Sequence, residues 1–249
     1  MKRAFTFYEI VVVVVVIGIL SAVVISRMQL DRKQEAADQI LSHIKYTQHL
    51  ALMNDVFEPY PIDSSVKETQ RCKYYYKQRW QIFFTDSDGT IYYQIFSDLP
   101  DNSITTCFNK NTESDPHEIA IDPGSGKLLI GNWRELAGNP HYPLKEKVNA
   151  KLNLTMEYGI KKIIIEPTSY SSSNMNNNLG DRVRILFDYI GRPYFDEGRA
   201  GVDNGTVNPF DNEKKPLRER VKIHFCFDTG CSDKFIIAIE PETGYAYLT

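Results

Sequence analysis

From Phe5 to Ile25 the chain carries an almost unbroken apolar block, in which Val11 through Val16 are consecutive and Glu9 is the one charged residue. It holds about 21 residues, and as a helix it measures about 31 Å, the thickness of a bilayer's hydrocarbon core. Valine prefers strands in water, but in lipid an isolated segment must satisfy its own backbone and so becomes a helix. The block therefore predicts a single transmembrane helix. A cleaved secretory signal is the competing reading, since Lys2 and Arg3 precede the block. Such signals carry only about 7 to 15 apolar residues and end at a small-x-small site, which Ser26-Arg27-Met28 does not supply.

Glu9 does not fit a plain anchor. A carboxylate at the centre of a span costs about 2.5 to 3.5 kcal/mol, and less near its end, so an acid one turn inside implies a role. Lys2-Arg3-Ala4, then Phe5-Thr6-Phe7-Tyr8-Glu9, then a Val/Ile run containing Gly18-Ile19-Leu20-Ser21-Ala22 resembles the prepilin-type N-terminal methylation motif of type IV pilins and type II secretion pseudopilins. The resemblance covers about the first 50 residues. It implies cleavage between Ala4 and Phe5 by a prepilin peptidase, N-methylation of Phe5, and an assembly role for Glu9. Two departures stand out: Ala4 replaces the family's usual Gly, and Ser26 stands where many major pilins carry a kinking Pro. Without that Pro the helix should run on smoothly, as in a minor pilin or pseudopilin.

Beyond the block, helical spacing continues to about Met53, with Ala36 or Ala37, Ile40, Ile44, Thr47 and Ala51 forming one apolar stripe for packing on a globular domain. Arg32, Lys33, Glu35, Asp38, His43 and Lys45 occupy the other faces. His43 and His49 do not share a face, which disfavours a metal pair. Pro59 and Pro61 end the helix, and 15 Tyr and 13 Phe feed a β-rich remainder. A strand from Tyr74-Tyr75-Tyr76 to Phe84 and another over Thr90 to Phe96 flank the turn Asp86-Ser87-Asp88-Gly89. Further strands are expected at Glu118 to Asp122, Lys127 to Ile130, Lys162 to Glu166, Arg182 to Asp188, Val221 to Phe227, Lys234 to Glu240 and Tyr245 to Leu248. A short helix over Lys147 to Tyr158 is stopped by Gly159, and the polar stretches Ser171 to Asn178 and Glu197 to Pro216 read as loops.

The segment Ile119-Ala120-Ile121-Asp122-Pro123-Gly124-Ser125-Gly126 recurs as Ile237-Ala238-Ile239-Glu240-Pro241-Glu242-Thr243-Gly244. Each is a strand, an acid, a Pro and a turn-permitting Gly; a repeated turn explains this more simply than a duplicated domain. The Phe187-Asp188-Tyr189-Ile190-Gly191-Arg192-Pro193 stretch and the final Pro-Glu-Thr-Gly hairpin resemble the carboxyl-terminal β-domain of H-type minor pseudopilins.

Catalytic templates fail on their spacing. Gly124-Ser125-Gly126-Lys127 lacks the upstream Gly and the following Ser or Thr of a phosphate loop, and Asp86-Ser87-Asp88-Gly89 lacks the later ligands of a calcium loop. The acids Asp196, Glu197, Asp203, Asp211 and Glu213 read as a solvated loop rather than a weak metal site. Neither a catalytic residue nor a metal or other cofactor is expected. Four cysteines in a domain that the motif places outside the cytoplasm suggest disulfides. The favoured pairing is Cys226 with Cys231 across a hairpin turn, with Cys72 and Cys107 as a second bridge, although four cysteines allow three connectivities. Zinc is disfavoured, because neither pair has knuckle spacing.

The expected architecture is α+β: leader 1–4, transmembrane half-helix 5–25, amphipathic half-helix 26–55, and a β-rich, mostly antiparallel head over 56–249. The implied function is structural, assembly through the N-terminal helix into a pseudopilus or pilus, with the helix in the inner membrane and the head in the periplasm. The implied partners are other pilins or pseudopilins, the prepilin peptidase, an inner-membrane assembly platform and membrane lipid. A membrane-anchored binding or enzymatic domain is the alternative. A net charge of −3 gives no support for nucleic acid, and the basic aromatic run Lys73 to Trp80 is the one candidate patch for it.

Overall fold

A computed structural model describes residues 7–54, 79–87, 89–97, 118–131, 145–167, 183–196 and 215–249, apart from the side chains of 22–30, 87, 145, 196 and 215. The leader with Ala4 and Phe5, Cys72 and Cys107, the start of the Lys73 to Trp80 run, the loop Ser171 to Asn178 and most of Glu197 to Pro216 lie outside the described residues.

Helix α1 (Phe7–Met53) is continuous over 47 residues, about 70 Å at the usual rise. It passes Ser26 without a break in helical backbone. The expectation of a transmembrane span is overturned, because among the described residues no helix is long and apolar enough to cross a membrane. The apolar run has described side chains only from Phe7 to Ser21, about 22 Å of helix against a hydrocarbon core of about 30 Å. The rest of α1 is amphipathic, and its stripe packs as the spacing requires: Ala36, Ile40, Ile44 and Thr47 are completely buried. Each such Ile removed from water contributes about 1.5 to 3 kcal/mol.

The head is built from two antiparallel sheets. One has the order β2-β1-β4-β5-β6, from β1 (Trp80–Ser87), β2 (Thr90–Ser97), β4 (Val183–Phe187), β5 (Pro193–Asp196) and β6 (Lys215–Pro216). The other has the order β3-β7-β8-β9, from β3 (Lys162–Glu166), β7 (Val221–Cys226), β8 (Lys234–Ile239) and β9 (Ala246–Leu248). One apolar cluster joins both sheets to α1, drawing Ile40 and Ile44 together with Ile82, Phe84, Ile185, Ile223 and Ile237. Alternation along the strands explains which side chains take part: Val221, Ile223 and Phe225 point inward, while Lys222 and His224 point to the other face. The first sheet is apolar on both faces, because Phe83 and Phe96 form a second cluster with Ile119, Ile130 and Val148.

The β1–β2 hairpin closes where expected, Ser87 pairing with Thr90 and Gly89 taking φ +75°. Three expectations are corrected. Glu118 to Asp122 and Lys127 to Ile130 are not strands but isolated bridges, Phe96 to Ile119, Gln94 to Ile130 and Ile121 to Leu128. Lys147 to Tyr158 is not one helix: Asn149 and Asn153 each cap a new start with their side chains, splitting it into a 3-10 turn (Ala150–Leu152) and α2 (Leu154–Tyr158), which Gly159 then ends at φ +80°. Lastly, β6 pairs the end of the stretch Glu197 to Pro216 that reads as a loop, and β5 forms where no strand is expected.

Candidate functional site

The free end of α1 is the surface that demands a function. From Ile10 to Leu20 every large apolar side chain is between 42% and 63% exposed, so no face of this end is covered by the described residues. A helix apolar on all sides is stable in water only when something covers it, and contiguous exposed apolar patches larger than a few hundred Å² mark interaction sites. Ser21 donates its hydroxyl to the Ile17 carbonyl at 2.7 Å, so it presents little polarity. Gly18 leaves a notch with nothing within 4 Å of the position a Cβ would take. Glu9 stands in the first turn, exposed, where a negative charge suits the helix dipole.

The other end of α1 is clasped by polar side chains as well as by the core. Gln39 donates to the Tyr93 hydroxyl at 2.9 Å and to the Lys151 carbonyl at 3.0 Å, and accepts from the Tyr158 hydroxyl at 2.8 Å. The His43 Nδ1 lies 2.6 Å from the same Tyr93 hydroxyl. Burial pushes the Tyr93 phenol far above its usual range, so it keeps its proton, and its oxygen accepts from Gln39 while it shares a hydrogen bond with the His43 Nδ1. Burial likewise pushes His43 below its ordinary value, against the opposing pull of Asp122. A folded-state pKa below the unfolded one contributes stability that is full above about 6.5 and is lost as pH falls through the lowered folded value. Thermal melts from pH 7.5 downward should therefore show stability falling below about pH 6.5, and His43→Gln should flatten that slope. An unchanged slope would place the acid sensitivity elsewhere.

The two echoed turns share one backbone pattern. Asp122 N–H donates to the Lys127 carbonyl and Gly126 N–H to that of Asp122; Glu240 N–H donates to Tyr245 and Gly244 N–H to Glu240. Gly126 and Gly244 take φ of +69° and +66°. Their surroundings differ, the first lying among isolated bridges beyond β2 and the second joining β8 to β9, so what recurs is the turn. Both regions hold α1. The Tyr46 hydroxyl donates to the Ile121 carbonyl at 3.0 Å, and the Gln48 amide donates to Thr243 at 2.7 Å and to Gly191 at 2.8 Å.

Cys226 and Cys231 are bridged, their Cα atoms 4.8 Å apart. Inside the loop that they close, the Asp228 carboxylate accepts from the backbone N–H groups of Asp233 and Ser232, and these bonds, the Asp233 one foremost, hold it down at about 2. The ordered loop presents Asp233 to Lys33 of α1, whose ammonium also lies 5.6 Å from the Phe227 ring. The segment around the bridge thus meets α1 near the point where the helix leaves the head. Removing the bridge by Cys226→Ser/Cys231→Ser should cost about 2 kcal/mol in chemical denaturation, the small value expected for so short a loop. A loss above about 4 kcal/mol would mean that the loop does more than limit the unfolded chain.

The remaining residues that the sequence singles out are dispersed. Asp86 belongs to the end of β1, and Gly124-Ser125-Gly126 is a turn in which Asp122 accepts from Ser125 at 2.6 Å. Of the expected acidic loop, Asp196 ends β5, and Glu197, Asp203, Asp211 and Glu213 lie outside the described residues. His43 and His49 remain apart in role, one in the clasp and one exposed. Among the described residues no three His, Cys, Asp or Glu side chains gather in a way that could hold a metal ion. Gln39 and Gln48 are the clasping residues that sequence reasoning misses. Comparison with family models, with curated proteins and with solved structures finds no match for this chain.

Proposed function

We propose that the chain is a structural subunit of the minor pilin or pseudopilin kind, which joins a bundle of similar subunits through the free end of α1 and catalyses no reaction. One observation carries the reading: a single helix is clasped by the head over its second half and left apolar and exposed over its first. That division suits a subunit whose helix is shared with neighbours and whose head stays outside the bundle. The leader and Glu9 motif favour the same family. On this reading the subunit belongs to the inner membrane, where lipid offers an apolar cover before assembly, and its head sits in the periplasm, an oxidising compartment that suits the Cys226–Cys231 bridge. The machine served is one of secretion, pilus extension or DNA uptake.

Glu9 supplies the registration. When helices pack side by side its carboxylate leaves water, and the free amine of a neighbour's processed Phe5 is the cation that cleavage creates. A charge-assisted hydrogen bond between them is worth roughly 1.5 to 3 kcal/mol. Glu9→Leu should be processed normally to a methylated Phe5 start, as intact mass spectrometry from the native host would read, yet lose its crosslinks to partner pilins. Equal crosslinks in variant and wild type, or an unprocessed Met1 start in both, would overturn the reading.

A further inference from the structure

Strand β3 is the outer strand of its sheet, paired with β7 on one side, and among the described residues no strand pairs with its other side. An open ladder edge of this kind invites another strand, and proteins usually guard it with charges, a bulge or a proline. Here the pairing with β7 is regular across all five residues, with Pro167 falling just after the strand. The charges are Lys162 at one end and Glu166 at the other, both exposed and on the same face, two residues either side of Ile164.

We propose that β3 pairs with β3 of a second copy, antiparallel about a two-fold axis at Ile164, joining two four-stranded sheets into one of eight. Antiparallel pairing about that centre sets Lys162 opposite the other copy's Glu166 twice over, Ile163 opposite Ile165, and Ile164 opposite itself. Both charge pairs are attractive, and side chains directly opposite on one face are the unit that stabilises such a pairing. The two ion pairs are equivalent by symmetry, so any shift of register loses both and the charges select the centre. The register also satisfies the symmetry of an isologous dimer, in which one patch meets its own copy. Glu166 lies 3.3 Å from His224 Nε2 of β7 on that face, so its carboxylate swings from β7 toward the open edge to meet the incoming lysine. Five residue pairs bury far less than the roughly 1,600 Å² of a standard stable interface, so the contact forms where copies are crowded. It does not depend on how the free end of α1 is used.

The test is disulfide crosslinking of the full chain in detergent at high protein concentration. Ile164→Cys should give an intermolecular bridge, because directly opposed Cβ atoms in such a pairing lie about 4.5 to 5.5 Å apart. Ile236→Cys is the control, half-buried on the same face but two strands in from the edge, and should give little. In the Ile164→Cys background, Lys162→Glu or Glu166→Lys alone should cut the yield about tenfold, each reversing two symmetric charge pairs. The double swap should restore it. Equal crosslinking at Ile164→Cys and Ile236→Cys would indicate stacking of faces and overturn edge pairing, as would a double swap no better than the single reversals.

Discussion

Gly244→Ala should be among the most damaging single-methyl substitutions in the described head, costing about 3 to 4 kcal/mol and lowering the melting temperature by about 10 °C. At φ +66° an alanine carries the left-handed penalty of about 1 to 2 kcal/mol. Its Cβ would also lie 2.6 Å from the Gln48 Nε2, 2.6 Å from the Gly191 carbonyl oxygen and 3.0 Å from Phe187. Gln48 must then withdraw from the two carbonyls it bridges, at about 1 kcal/mol for each net hydrogen bond lost. The echoed turn supplies the control. Gly126 has nearly the same φ, with nothing within 4 Å of its Cβ position, so Gly126→Ala should cost only the conformational part. Chemical denaturation of the two variants separates backbone strain from close packing, and equal losses would show that the clasp by Gln48 adds nothing.

That clasp also marks the limit of what the sequence discloses. The stripe of Ile40, Ile44 and Thr47 is legible because helical periodicity is local: the residues that share a face stand three and four apart whatever they pack against. Strands β3, β7 and β8 are legible for a similar reason, being apolar alternations bounded by turn residues. Gln39 and Gln48 carry no such signal. A glutamine on a helix reads as solvated until the fold delivers a carbonyl, and those accepting from Gln48 lie 143 and 195 residues away. Strand β5 opens with a proline and runs four residues; it is held by pairing with β4, and it is too short for an alternation to show. The isolated bridges at Ile119 and Ile130 fail as strands for the opposite reason: their alternation is right, but their partners meet them one residue at a time.

The N-terminal block shows a subtler limit. A count of apolar residues says that a surface must leave water, and it does not say whether lipid or protein receives it. The length from Phe5 to Ile25 matches a bilayer, whereas the described apolar stretch of α1 stops short of one. What stays firm is that the surface between Phe7 and Ser21 is exposed within the chain. A polar substitution there and one in the clasped half should therefore act on different properties.

Val14→Asp should leave the head's folding untouched and abolish association through α1. Val14 is 63% exposed, so in the isolated chain the carboxylate stays in water, and the melting temperature of the head should move by no more than the ±0.5 kcal/mol typical of surface changes. In a bundle the same group would be buried among apolar helices. An unpaired charge there costs several kcal/mol at each contact, so crosslinked oligomers should fall by at least about a hundredfold. Ile40→Ala makes the converse change: it empties a fully buried site between α1 and both sheets and should cost about 2 to 5 kcal/mol of stability. In subunits that remain folded, association should persist. Measuring melts and crosslinks on both variants gives a two-by-two outcome. If Val14→Asp assembles as wild type does, the free end of α1 is not the surface through which copies meet; if it lowers the melt as far as Ile40→Ala, that end is packed within the chain's own fold.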